Sequence, residues 1–282
     1  MVKIRLQLQP HVPTNGASGS SATTLFYRGI LPTMRSIIQH EGPTALWKGN
    51  IPAELLYLSY GAVQFLAYRQ LTNLLSQTAP KCPAHAQSFV AGAAAGGVAT
   101  AATYPLDLLR TRFAAQRSVR AYESLAHSVR HIAENEGTRG FFRGLGTTLT
   151  QIAPYMGLLF MTHEAAKVQL VHVASAGYID ALAGSVAGVV AKTGVFPLDL
   201  IRKRLQVQGP TRSKYVHGNI PVYVGILGTA RDIIKAEGVV GLYRGLWVSL
   251  LKAAPLTAVT MWSFEKAMKA LEVIDKKTGG AL

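Results

Sequence analysis

The sequence predicts an all-α membrane protein built from three tandem repeats. Three observations predict it: where the charge sits, a recurring set of short motifs, and apolar stretches of bilayer-crossing length between them. The 282 residues are 49% hydrophobic and 15% charged, with 29 Lys and Arg against 14 Asp and Glu and a net charge of +15. Soluble domains carry about 25% charged residues, so the composition argues against disorder and against an ordinary soluble enzyme. Residues 3–48, 110–143 and 202–244 hold 20 of the basic residues and only 6 of the acids. A nucleic-acid binder would spread its basic residues over a soluble surface. Here they form three blocks that alternate with nearly neutral stretches such as 49–80, 144–176 and 245–271. A spanning helix needs about 20 residues, and the inside-positive tendency puts the basic blocks on one side of the membrane. The single cysteine, Cys82, excludes an internal disulfide or a Cys-cluster zinc site.

The repeats are read from three motif series that recur in one order. Pro105-Leu-Asp107-Leu-Leu-Arg110-Thr-Arg112 is matched by Pro197-Leu-Asp199-Leu-Ile-Arg202-Lys-Arg204. Glu41-Gly42, Glu136-Gly137 and Glu237-Gly238 follow, and seven residues after each of these glycines comes the glycine of Trp47-Lys48-Gly49, Phe142-Arg143-Gly144 or Tyr243-Arg244-Gly245. Repeats of about 95–100 residues result, with expected boundaries 1–80, 81–176 and 177–282.

In order and register these motifs resemble the signature of the mitochondrial carrier family, over the whole chain. The resemblance implies, in each repeat, an odd transmembrane helix kinked at the proline, a short matrix helix and an even transmembrane helix. Six helices would form a bundle with threefold pseudosymmetry around a central cavity. In the first copy Lys3, Arg5, Gln7 and Gln9 align with Arg202, Arg204, Gln206 and Gln208. The matching proline and acid then fall before Met1, so helix 1 is expected to be largely missing.

Asp107 and Asp199 stand two residues past a proline at the end of an apolar stretch, where an unpaired carboxylate is costly in a membrane. A helix-end charge in water is the plainer reading. The resemblance instead makes these acids a matrix gate, pairing Asp107 with Arg202 and Asp199 with Lys3, and leaving Arg110 without its partner from helix 1. Gln7 and Gln206 match the glutamine that braces such pairs, and Ala114 takes that place in repeat 2. The cytoplasmic gate is weaker. Tyr68-Arg69-x-x-Thr72, His163-Glu164-x-x-Lys167 and Phe264-Glu265-x-x-Met268 leave Glu265 with Lys167 and Arg69 with Glu164 as candidate bridges.

The small-residue pairs Gly92-xxx-Gly96 and Gly184-xxx-Gly188 predict close helix approach. Tyr27-x-Gly29 and Tyr223-x-Gly225 precede their Glu-Gly pairs by a common distance, with Tyr122-x-Ser124 as a degenerate copy. Backbone N–H groups at helix starts attract phosphate. The resemblance assigns Gly29 and Gly225, with Trp47, Lys48, Gly49, Phe142, Arg143, Gly144, Tyr243, Arg244 and Gly245, to cardiolipin, while interfacial anchoring alone also explains the aromatic residues.

Leu56, Gln151 and Lys252 match the family's even-helix substrate contacts, and Ile152 follows Gln151. Lys252 and Lys192 are lone lysines in apolar stretches, and Glu54 adds a carboxylate. Snorkelling or structural pairing is the alternative for both lysines. Two lysines and an acid suit a phosphate-bearing substrate with a polar or positive heterocycle, of nucleotide type. The implied protein is a monomeric inner-membrane solute carrier that works by alternating access. No cofactor, metal or nucleic-acid partner is expected. No Gly-rich nucleotide loop, nucleophile elbow or His-Glu-x-x-His points to an enzyme. His127 and His131 have metal-compatible spacing without a third ligand nearby, and read as a solvated helix face.

Overall fold

The structure is a computed structural model that describes residues 1–9, 29–78, 83–116, 122–170, 176–215 and 220–251. It divides into a unit Met1–Arg244 and a unit Gly245–Leu282. The first contains helices α1 (Val2–Leu8), α2 (Ile30–Glu41), α3 (Asn50–Thr78), α4 (Ala84–Ala115), α5 (Leu125–Gly140), α6 (Leu145–Leu170), α7 (Ala176–Gln206) and α8 (Ile226–Gly241), with 3₁₀ turns at Pro43–Trp47 and Pro210–Lys214. In the second, the first residues start a helical turn in which Ser249 N–H donates to the Gly245 carbonyl at 3.2 Å.

The long helices pair as α3 with α4 and α6 with α7. Within α4 and α7, Gln87–Ala115 and Leu182–Gln206 are long and apolar enough to cross a membrane. At 29 and 26 residues α3 and α6 are of comparable length. Both α4 and α7 continue about ten residues past Pro105 and Pro197, so each proline lies inside its helix rather than ending it. Each proline removes one intrahelical hydrogen bond. The last turns survive because Leu108, Leu109 and Ala115 on α4, and Leu200 and Ile201 on α7, are buried.

Burial runs inside out compared with a soluble bundle. Ala91, Ala95 and Ala99 on α4 and Ala183, Ala187 and Ala191 on α7 are wholly buried, while Phe89, Val90, Val98, Leu182, Val186 and Val189 are exposed. Small residues inside and large apolar ones outside is the arrangement that lipid favours. Alanines one position before each of the paired glycines are thus among the most deeply buried small residues of these helices. Gly184 and Gly188 have open space where a Cβ would stand, and Gly92 and Gly96 face the side chains of Tyr68 and Tyr60.

The repeat is visible in backbone angles. Gly42, Gly137 and Gly238 have φ of +83°, +64° and +69°, and Gly49, Gly144 and Gly245 have +83°, +87° and +87°. These left-handed values are where glycine is tolerated and side chains are not. Gly29 and Gly225 cap α2 and α8 in the same region. Ser124 stands in their place at α5 with ordinary extended angles, and its hydroxyl accepts from the His127 N–H.

Candidate functional site

The last turns of α4 and α7 come together with α1 and bring the two motif acids into ion pairs. Arg202 Nη2 lies 2.7 Å from Asp107 Oδ2, and Lys3 Nζ lies 2.8 Å from Asp199 Oδ2. Gln206 donates its side-chain N–H to Asp107, and Gln7 donates to Asp199 at 3.4 Å. The pairings that the family resemblance implies, Asp107 with Arg202 and Asp199 with Lys3, are present as geometry. Arg110 donates to the Tyr57 hydroxyl at 3.0 Å, and its guanidinium stands 5.3 Å from that ring's centre.

Two cations join the cluster where the motif spacing did not put them. Lys203 Nζ is 3.3 Å from Asp107 Oδ2 and 3.0 Å from both Thr111 Oγ1 and Gln206 Oε1. It fills a variable position of the motif, so no spacing signal marked it. Lys192 Nζ is 3.6 Å from Asp199 Oδ2, so this lysine is paired within the cluster while its side chain stays about a third exposed. Each acid therefore carries two cations and one glutamine amide. In a low-dielectric interior such an arrangement holds only while water is excluded, because attraction must offset desolvation of every charge.

A second layer ties consecutive repeats. Arg5, Arg112 and Arg204 are almost wholly buried and pair with Glu41, Glu136 and Glu237 at 2.5, 2.5 and 2.6 Å. Each arginine also donates to main-chain carbonyls of another copy. Arg5 reaches Ala114 and Gln116, Arg112 reaches Gln206 and Gln208, and Arg204 reaches Gln7. Planar guanidinium groups suit this forked recognition. Lys48, Arg143 and Arg244 add a second cation to the same three glutamates, at 2.6, 3.4 and 3.6 Å. Burial pushes the Glu41 carboxyl up, but hydrogen bonds from Arg5 and Lys48 outweigh it and hold its pKa below the usual glutamate value.

A groove of about 530 Å³ is lined by Arg143, Gly144, Thr147, Arg212, Val224 and Gly225, among others. It brings the N-terminal turns of α6 and α8 to one place. Thr147 is 1% exposed there and its hydroxyl has no partner. Phe142 stacks on Tyr104 and Tyr243 on Phe196, with centroids 6.5 and 6.4 Å apart. A Cβ on Gly49 would stand 2.8 Å from the Arg110 carbonyl of the following copy, and one on Gly144 would stand 2.8 Å from the Tyr104 hydroxyl of its own copy and 3.4 Å from the Arg202 carbonyl of the following one. Trp47 is exposed and Gly29 caps α2.

A second cavity of about 330 Å³ lies between α3, α4, α6 and α7, lined by Leu56, Tyr57, Tyr60, Thr100, Tyr104, Asp107 and Arg202, among others. Of the expected substrate contacts, Leu56 lines it, while Glu54 is exposed and not part of its wall. Gln151 and Ile152 are half-buried on α6, and Gln151 Oε1 is buried with no partner. Arg69 and Glu164 are both exposed and no ion pair joins them, and Lys167 is half-buried. Lys252 and Glu265 lie outside the described residues.

Comparison with known proteins adds to this geometry. A family model for mitochondrial carrier proteins matches residues 1–79, 83–173 and 175–273. The chain is 59% identical over 278 residues to mitochondrial thiamine pyrophosphate carrier 1 of Aspergillus oryzae, spanning 98% of this chain and 87% of that protein. It is 57% identical over 277 residues to the protein of the same name from Aspergillus terreus, with coverages of 98% and 87%. Identity to the Aspergillus niger protein of that name is 56% over 281 residues, with coverages of 99% and 88%.

Proposed function

The chain belongs to the mitochondrial carrier protein family, and from that premise we propose that it carries thiamine pyrophosphate across the mitochondrial inner membrane in exchange for nucleotides. The observation that carries the mechanism is the pair of acid-centred clusters, Asp107 with Arg202 and Asp199 with Lys3, which link three copies of one motif. In this reading the chain takes up the family's six-helix, threefold-pseudosymmetric bundle with helix 1 largely missing, and the matrix side closes through these clusters. Arg69 and Glu164 are both exposed with no ion pair between them, which suits a cytoplasmic side that is open. Opening one gate and closing the other moves a single bound substrate from face to face.

Within this reading Lys192 and Lys252 hold the diphosphate, with Leu56, Gln151, Ile152 and Glu54 on the path around it. The carrier works as a monomer in this reading. Cardiolipin phosphate occupies the groove where the starts of α6 and α8 meet, and the corresponding sites at Gly49 and Gly245. Supporting this, the groove combines helix N-termini, Arg143 and Arg212 with the apolar Val222 and Val224, which suits a phosphate joined to acyl chains.

Uptake of labelled thiamine pyrophosphate into proteoliposomes made with cardiolipin, with and without internal nucleotide, tests the proposal. Saturable uptake that is accelerated by internal nucleotide is expected. No uptake overturns the substrate, and preferential uptake of another compound in a panel containing coenzyme A and deoxynucleotides replaces it.

A further inference from the structure

Tyr60 stands apart from the other tyrosines around the 330 Å³ cavity. Tyr57 already holds the Arg110 guanidinium through its ring and its hydroxyl. Tyr104 is stacked with Phe142, has the Arg202 guanidinium 5.7 Å from its ring centre, and donates its hydroxyl to the Arg143 carbonyl. Tyr60 lines the same cavity, yet among the described residues it makes no hydrogen bond, ring stack or cation contact. Tyr60 is half-buried, so its hydroxyl and ring face are open to the cavity and free to meet what enters it.

The surroundings suit a flat ring. Tyr57 and Tyr60 are three apart on α3 and so share a face. The neighbouring Gly96 has no side chain: a Cβ there would come within 3.8 Å of the Tyr60 hydroxyl. Thr100 adds a hydroxyl, Leu56 an apolar contact, and the Asp107–Arg202 pair forms another part of the wall. Glu54, the acid expected beside a positive ring, does not line this cavity. The electron-rich face of an unpartnered tyrosine attracts a cationic or electron-poor heterocycle, and its hydroxyl can meet a ring nitrogen or amino group.

We propose that Tyr60, with Tyr57 beside it, forms the subsite that takes the planar heteroaromatic ring of the transported diphosphate. This rests on reading the chain as a carrier of such a diphosphate, and it assigns the ring to α3 and α4 rather than to Glu54. Ring and phosphate recognition are then separable. Thiamine has the rings without the phosphates, and inorganic pyrophosphate has the phosphates without the rings.

The experiment measures inhibition of labelled thiamine pyrophosphate uptake by each of these two compounds, for the wild type and for Tyr60→Leu, Tyr60→Ala and Tyr60→Phe. Removing the ring should weaken thiamine inhibition about tenfold and leave pyrophosphate inhibition unchanged, which also reports that the variant is folded. Tyr60→Phe, which keeps the face, should recover most of the loss. An unchanged thiamine constant, or equal weakening of both inhibitors, overturns the subsite. Failure of the wild type to take up thiamine pyrophosphate overturns the transport reading instead. The subsite is then judged by whether thiamine raises the unfolding temperature of the wild type but not of Tyr60→Leu; protection of both, or of neither, overturns it.

Discussion

Lys203 and Thr111 fill the same place in consecutive copies of the repeat, and they touch, with Nζ 3.0 Å from Oγ1. The third copy thus adds a buried cation where the second has a hydroxyl, and both converge on Gln206 Oε1. Asp107 is held by Arg202 and Lys203 together. Losing the acid should therefore hurt more than losing the extra lysine. Asp107→Asn leaves two cations facing an amide and should cost about 3–5 kcal/mol. Lys203→Met leaves the Arg202 pair intact and should cost about 1–3 kcal/mol. The double variant should lose less than the sum, because the methionine removes the cation that the asparagine stranded. Unfolding temperatures in lipid-supplemented detergent give the comparison; strict additivity would show that Lys203 and Asp107 are not coupled.

The arginine layer should be intolerant of a charge-conserving swap. Arg112 uses Nε on the Gln206 carbonyl, Nη2 on the Gln208 carbonyl and both terminal nitrogens on Glu136. A lysine keeps the charge but not the fork, so Arg112→Lys should destabilise nearly as much as Glu136→Gln, by about 3 kcal/mol or more. Thermal unfolding of the two variants side by side decides it, and near-wild-type stability of Arg112→Lys would refute the forked role.

The Glu41 carboxyl is held below its ordinary pKa in the folded protein. Ionised Glu41 therefore stabilises the fold fully above the unfolded value, about 4.3, and this contribution fades as pH falls through the lower folded value. Glu41→Gln should cost stability at pH 7, and the gap to wild type should narrow steadily once the pH drops below about 4. A gap that widens on acidification would contradict the direction of the shift.

Two glycines separate strain from crowding. Gly42 and Gly144 have nearly the same φ, +83° and +87°. A Cβ on Gly42 meets nothing within 4 Å, whereas one on Gly144 would stand 2.8 Å from the Tyr104 hydroxyl. Gly42→Ala should cost about 1 kcal/mol from the backbone alone, and Gly144→Ala distinctly more. Equal losses would mean that Tyr104 moves aside freely.

The acid pairs were legible through the resemblance to the carrier family, which the recurrence of Pro-x-Asp and the basic residue three positions after the acid carries; the residues alone left a solvated helix-end charge open. Lys203 was not, because it sits at a variable position and only the packed helix ends reveal its neighbours. The arginine–glutamate pairs escaped for another reason. Their residues belong to two different motifs, 24 residues apart in the case of Arg112 and Glu136, and each motif had its own explanation. Glycine spacing pointed to the right helices but missed the wholly buried Ala91, Ala95 and Ala99 beside those glycines. For Lys192 the sequence could register an isolated charge but not that its long side chain reaches Asp199.

What Arg5, Arg112 and Arg204 recognise in the neighbouring copy is main chain: the carbonyls of residues 114 and 116, 206 and 208, and 7. The receiving side therefore needs only the right backbone path, whatever side chain hangs from it. Equivalent positions read Gln7, Ala114 and Gln206 without disturbing the tie. This lets each repeat drift in the residues that face the gate while remaining fastened to its neighbours, so that selectivity could diverge among three copies that still close as one.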